Sequence, residues 1–372
     1  MSELGEEQIG EIANLFAIAG EFIGAVEVET GLINATWIAT YRSEGGREMR
    51  YILQRINESV FGDPLEVMRN VESVTRHINR KVMRVKKDSD GQTLSLYPGR
   101  GGESYVTGPG GGIWRCYNFI EGCRTYDVVE STRQAYQAGH AFGAFQDLVS
   151  DLDPHSIVEV IPDFHNTPRR YRQLLDAVTA DSAGRAAEVC DELQRIEAMS
   201  GEMDRVIRMQ EAGELPIRVT HNDTKINNVL FDIASDEAVC VIDLDTVMPG
   251  LSLYDIGDLI RTSINPAEED EPDLSKVHMR MSIFEALIEG YLEAAGDALT
   301  KAEIQLLPFS GKLLALELSM RFLADYLNGD QYFRVKHARQ NLDRARTQLK
   351  LAEEIAHSEE AMNAYVKKVA SI

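Results

Sequence analysis

The sequence predicts an α+β protein of two lobes, and three features of the chain predict it. β-rich runs crowd the first third, helical periodicity takes over from Ser131, and one short strand pair interrupts the helices. A chain of 372 residues is long enough for two lobes with an ample core. We place the boundary at the end of the β-rich part, giving lobes 1–121 and 122–372.

The elements follow in chain order. The stretch AVEVETGLINATWIATYRSEGGREMRYILQRI, residues 25–56, holds three β-rich runs separated by glycine-containing turns. DPLEVMRNVESVTRHI then carries Val67, Val71, Val74 and Ile78 at helical spacing, with Asp63-Pro64 as cap and first-turn residue. TLSLYPG and GIWRCYNFIEG read as two further strands. Between them lies PGRGGESYVTGPGGG, with seven glycines from Pro98 to Gly112. A phosphate cradle needs a glycine loop that opens a helix or arches over a nucleotide. This one joins two late strands, so it is expected to be a loose connection. Beyond Ser131, TRQAYQAGHAFGAFQDLVSDL, RYRQLLDAVTAD and AAEVCDELQRIEAMSGEMDRVIRMQEAG are helical by periodicity. NVLFD and AVCVIDLD form the interrupting strand pair, and helices resume after Pro249.

Composition narrows the partners. Hydrophobic residues at 44% and charged residues at 26% are ordinary for a folded protein, while the formal net charge is −22. That sign repels nucleic acid and anionic membrane surfaces. No apolar run nears the ~20 residues of a membrane span. The four cysteines, Cys116, Cys123, Cys190 and Cys240, lack metal-ligand or CxxC spacing, and the acidic N-terminus is unlike a signal peptide. Reduced thiols in a cytoplasm are expected.

The chemistry concentrates in THNDTKINNVLFD, Thr220 to Asp232. Phosphoryl transfer requires a carboxylate beside the attacking hydroxyl and a metal ion bridging the phosphates, with ligands that hold it. Asp223 supplies the first. Asn228 offers an amide oxygen, and IDLD places Asp243 and Asp245 on one strand face if the period of two holds. Mg²⁺ takes such oxygen ligands together with water and phosphate oxygens. Lys225 is positioned to neutralise the phosphoryl group in flight, and His221 to fix the loop by hydrogen bonds.

The motif His221-x-Asp223-x-Lys225-x-x-Asn228 resembles the catalytic loop of the protein-kinase-like superfamily, and VIDLD resembles the metal motif of its aminoglycoside phosphotransferase and choline kinase branch. GLINATW, WRCYNFIEG, FHNTPRR, CVIDLDTVMPGLSLYDIGDLIR and MRFLADYLNGDQYF are together similar to N-acetylhexosamine 1-kinases and related sugar kinases. The resemblance implies a protein-kinase-like bilobal fold with a β-rich N-lobe and a mostly helical C-lobe carrying a catalytic β-hairpin. It implies ATP as co-substrate, Mg²⁺ as metal, and phosphorylation of the anomeric hydroxyl of N-acetylglucosamine or N-acetylgalactosamine. Kinases of other alcohols (aminoglycosides, choline, a different sugar) and an inactive nucleotide-binding regulator are the rival readings. A protein kinase is disfavoured, since no A-P-E or D-F-G is present and Asp243 precedes Leu-Asp.

By the same resemblance ETGLINATW stands where the phosphate-covering loop belongs. Only Gly31 survives of its glycines, and Asn34 and Thr36 stand in for the rest. RYILQRIN should carry the cation for the α/β phosphates. Arg55 is the choice, with Gln54 its neighbour on the other face, and Glu72 rather than Glu66 as acidic partner on the following helix. CYNFIEG reads as the hinge. His165, Arg261 and Arg321 are candidate substrate contacts, and Asp258 a brace for the catalytic loop.

Overall fold

A computed structural model describes residues 5–28, 33–85 and 93–371; Gly31 therefore lies outside the described residues. The first lobe is built on β1 (Glu21–Glu27), β2 (Ala35–Arg42), β3 (Glu48–Arg55), β4 (Val106–Thr107) and β5 (Ile113–Asn118), in the order β1-β2-β3-β5-β4. All neighbours are antiparallel. Side chains alternate across the pleat. Trp37, Ala39, Tyr41, Tyr51, Leu53, Trp114 and Cys116 fall on one face, buried with Ile9, Ile12 and Phe16 at α1 (Glu6–Ala13) and its end. The other face carries Ile52 and Tyr117 against Val67, Val71 and Val74 of α2 (Pro64–Val85). Asp63 Oδ1 accepts the Leu65 N–H at 2.8 Å, so the Asp-Pro start of that helix forms as expected.

TLSLYPG does not make a strand. Its backbone runs along β5 with one isolated bridge, Leu96 to Tyr117, and Pro98 ends the approach. The short strand lies instead inside the glycine-rich connection. That connection is pinned to the end of α1 rather than loose: the Arg100 N–H donates to Leu15 O at 2.8 Å, and the Ala17 N–H to Pro98 O at 2.8 Å.

After the hinge the chain enters a second, mostly helical lobe. A sheet of β6 (Cys123–Arg124), β8 (Val229–Asp232) and β9 (Ala238–Val241) carries the catalytic hairpin, and β7 (Arg218–Thr220) pairs with β10 (Met248–Gly250) beside it. Around them stand α3 (Thr132–Leu148), α4 (Thr167–Ala180), α5 (Cys190–Ala198), α6 (Arg205–Glu211) and α7 (Ser252–Ile264). α8 (Met281–Ala295), α9 (Lys301–Gln305), α10 (Leu307–Leu327) and α11 (Gln340–Ala370) complete the lobe. The long helix expected over residues 186–213 is broken at Ser200-Gly201-Glu202, where a turn of 3₁₀ geometry separates α5 from α6.

α3 and α8 meet backbone to backbone. A Cβ added at Gly139 would stand 2.1 Å from Leu287 O, and one at Gly290 would stand 2.1 Å from Tyr136 O. Glycine at these positions is a steric requirement, and it brings Phe142 and Phe145 of α3 edge-on to the His221 ring, with centroids 5.5 and 5.6 Å away. No described helix is long and apolar enough to cross a membrane.

Candidate active site

The loop between β7 and β8 is held from three sides. Asp255, buried on α7, accepts the His221 N–H at 2.9 Å and the Asn222 N–H at 2.7 Å, one on each carboxylate oxygen. The His221 Nδ1 accepts the Asp223 N–H at 3.3 Å, so its Nε2 carries the proton and donates to Ile242 O at 3.0 Å. That one ring ties the Asp223 loop to the residue preceding Asp243. Asn222 turns the chain with a φ of 64°, and its amide donates to Thr246 O at 2.9 Å. The brace of this loop is therefore Asp255. Asp258, the expected one, pairs instead with Arg261 at 2.6 Å.

Asp223, Lys225 and Asn228 meet. The Lys225 ammonium stands 2.9 Å from Asp223 Oδ1, and the Asn228 amide donates to Asp223 Oδ2 at 3.1 Å and to Asp223 O at 2.8 Å. Burial would raise the Asp223 pKa, but Lys225, His221 and Asn228 outweigh it and hold the carboxylate ionised below its ordinary range. Asp223 in turn raises the Lys225 pKa and keeps the ammonium charged. The Asn228 donors are thus spent on Asp223, which leaves its oxygen side available.

Asp243 has the opposite balance. Burial, then Asp245, then Asp223 push its pKa up to about 7, with Arg115 and Lys225 only partly compensating. Among the described residues nothing donates a hydrogen bond to its carboxylate or to Asn228 Oδ1, and the buried Tyr117 hydroxyl in the same field has no partner either. An under-compensated carboxylate that stays exposed beside an open amide oxygen suits a hard divalent cation. Asp243 and Asn228 would hold it.

Asp245 is not free to join them. The expectation that IDLD keeps strand periodicity fails, because β9 ends at Val241, Asp243 adopts a φ of 63°, and Leu244–Thr246 coils into a 3₁₀ turn. Asp245 is turned inward, 3% exposed, with one oxygen on the Arg115 guanidinium and the other on the Asn34 amide. Both oxygens are occupied, so the metal role expected of Asp245 is replaced by the supporting one. Asn34, expected at phosphate or sugar, is a brace too; its own oxygen accepts the Asn57 N–H at 3.0 Å.

Strand register also moves the expected phosphate cation, Arg55, away from the cleft. Thr36, Gln54 and Arg115 form one row across β2, β3 and β5, joined by Gln54 Nε2 to Thr36 Oγ1 at 3.1 Å and Arg115 to Gln54 Oε1 at 2.8 and 3.0 Å. This row faces the cleft. Arg55 lies in the next row, with Ala35 and Trp114, and so on the opposite face, its guanidinium against Gly112. The expected Arg55–Glu72 pair does not form. Glu72 is held by Arg76 and by the Ser104 hydroxyl at 2.9 Å, and α2 offers Asn70, not an acid, to Val247 O at 3.0 Å.

Of the candidate substrate contacts, His165 is a buried brace, with Nδ1 2.9 Å from Glu317 and Nε2 3.4 Å from Asn222 O. Arg261 is buried against Asp258 and reaches Glu269 at 3.5 Å. Only Arg321 keeps its guanidinium uncommitted. It stacks between Phe164 and Phe333, 5.1 and 5.7 Å from their centroids. Arg170 stands within its field, and among the described residues neither forms an ion pair.

Comparisons with known proteins bear on the family and the fold. The model of the phosphotransferase enzyme family matches residues 25–307. A microcompartment-associated aminopropanol kinase is similar in fold, with a TM-score of 0.62, 16% identity, and coverage of 95% of this chain and 98% of that one. A spectinomycin phosphotransferase in complex with ADP and spectinomycin gives 0.60, 12% identity, and coverage of 96% and 100%. An aminoglycoside phosphotransferase from Alicyclobacillus acidocaldarius gives 0.59, 13% identity, and coverage of 100% and 97%. The two-lobed layout is shared along the whole length of these enzymes, and the matched segment runs from β1 into α10: the chain belongs to the phosphotransferase enzyme family.

Proposed function

We propose that the chain is an ATP-dependent kinase of a small hydroxylated molecule, that Mg²⁺ is its metal, and that its acceptor is an N-acetylhexosamine phosphorylated at the anomeric hydroxyl. The observation that carries the reading is the convergence of Asp223, Lys225 and Asn228 next to the under-compensated Asp243.

Asp223 takes the proton of the attacking hydroxyl and orients its oxygen. A carboxylate held below its ordinary pKa is a weak base, and that suffices, because a loose phosphoryl-transfer transition state asks mainly for alignment. The anomeric hydroxyl is the most acidic of a sugar, so it fits a weak base best. The Lys225 ammonium, kept charged by Asp223, balances charge on the phosphoryl group. When bound at Asp243 and Asn228, the metal would neutralise phosphate charge and align the β- and γ-phosphates. His221 and Asp255 position these groups through the backbone. The four cysteines are free thiols, which fits an enzyme of a reducing cytoplasm.

The wall of Phe164, Arg321, Phe333 and Arg170 supports a neutral acceptor. The Arg321 guanidinium forms no ion pair among the described residues, and with the Phe164 and Phe333 faces it suits a sugar ring and an acetamide oxygen. Incubation with ATP, Mg²⁺ and a panel of free sugars, amino alcohols and antibiotics tests the proposal. Detection of a sugar 1-phosphate by mass and anomeric coupling supports it; turnover confined to cationic acceptors overturns the acceptor class.

A further inference from the structure

Among the described residues the first lobe has no lysine–acid pair between β3 and α2, yet it holds a buried cation, Arg115, aimed at the metal loop. Arg115 on β5 is wholly buried and binds Asp245, two residues from Asp243. The other oxygen of Asp245 takes the amide of Asn34, the residue just before β2. Asn34 is in turn fixed by the Asn57 N–H just beyond β3. Two segments of the first lobe thus converge on a single carboxylate of the second.

We propose that Arg115 is a positioning residue of this enzyme, working through Asp245 to set Asp243 and, with Asn34, tying the start of β2 to the metal-ligating loop. The inference rests on the kinase reading above. Three features favour it over a merely structural bridge. A buried ion pair contributes little net stability compared with apolar packing, so the fold has no need of one here. The pair joins the two lobes, where it cannot stabilise either core alone. And the Arg115 donors are divided between Asp245 and Gln54, whose other end holds Thr36 of β2. The guanidinium therefore fixes β2, β3 and the metal loop relative to one another.

The test uses the full chain with Arg115→Met, Arg115→Lys, Asn34→Ala and the double variant Arg115→Met/Asn34→Ala. Affinity for Mg·ATP is read by displacement of a fluorescent ATP analogue, beside thermal unfolding and separate KM values for ATP and acceptor. Arg115→Met is expected to weaken Mg·ATP by about tenfold or more, with the acceptor KM within about twofold of wild type. Arg115→Lys restores part of the loss, since it keeps the charge without the fork. Because both partners act through Asp245, the double variant is expected to be no weaker than the worse single. Folded Arg115→Lys and Asn34→Ala proteins with unchanged Mg·ATP affinity would overturn the proposal, as would fully additive losses. These two variants carry the test if Arg115→Met does not fold. A wild-type chain that binds no Mg·ATP refutes the kinase reading instead.

Discussion

The substitution Asp255→Asn probes the support of the catalytic loop without touching any group that meets substrate. The carboxylate gives one oxygen to the His221 N–H and the other to the Asn222 N–H, at 2.9 and 2.7 Å. An amide of the same shape keeps one acceptor and turns an NH₂ toward the second N–H. One charge-assisted bond, worth about 1.5–3 kcal/mol, is lost, and the buried N–H it leaves costs about 1–3 kcal/mol. Part of this is returned, because burial raises the Asp255 pKa and the neutral amide escapes that penalty. A net loss of about 2–4 kcal/mol corresponds to a fall in Tm of roughly 3–5 °C for a protein of this size. The displaced peptide carries Asp223, and a shift of ~1 Å at a reacting group costs about 100-fold in kcat. Calorimetry gives the first quantity and ATP turnover the second, with Mg·ATP affinity as the control expected to stay within about twofold. An Asp255→Asn protein with wild-type Tm and kcat would refute the idea that α7 sets the loop.

Three other outcomes are expected. Asp223→Asn lowers kcat by about 100- to 10,000-fold while leaving nucleotide affinity nearly intact, as measured by turnover and equilibrium binding. For Asp243, whose pKa is raised to about 7, the folded chain binds a proton that the unfolded carboxyl has already released between its ordinary range and pH 7. Metal-free stability from this group therefore grows as pH falls from 8 to 6. Apparent Mg²⁺ affinity declines by about tenfold per pH unit below 7, because metal and proton compete for one carboxylate; equal affinities at pH 6 and 8 would contradict this. Gly290→Ala gains helix propensity of up to ~1 kcal/mol but places a methyl 2.1 Å from Tyr136 O. A net destabilisation of about 1–3 kcal/mol is expected in urea unfolding.

Much of the site is legible along the chain because its residues are local. His221, Asp223, Lys225 and Asn228 share one loop, and their offsets alone suggest their meeting. The two-lobed architecture is legible from periodicity for the same reason. Legibility fails where a decision depends on the pleat or on a distant partner. Asp243 and Asp245 look like strand neighbours, but the left-handed turn at Asp243 sends the two carboxylates to different work. Arg55 and Gln54 differ by one residue and so by a whole face of the sheet. Arg115 is the residue that reading missed. Its signal is an arginine set among Trp114, Cys116 and Tyr117 in a central strand, where a charge needs a buried partner. Which of Asp255 and Asp258 braces the loop is invisible in YDIGD, since both fall on adjoining faces of one helix.

The glycine contact of α3 with α8 has an evolutionary side. At these glycines the helices meet main chain to main chain, so even one added carbon drives them apart and drags Phe142 and Phe145 off the imidazole they steady. Drift on that flank is penalised twice, in folding and in turnover. The Phe164–Arg321–Phe333 wall carries no such burden. If that wall meets the acceptor, as proposed, a lineage acquiring new acceptors has its freedom there, and the opposite flank stays shut.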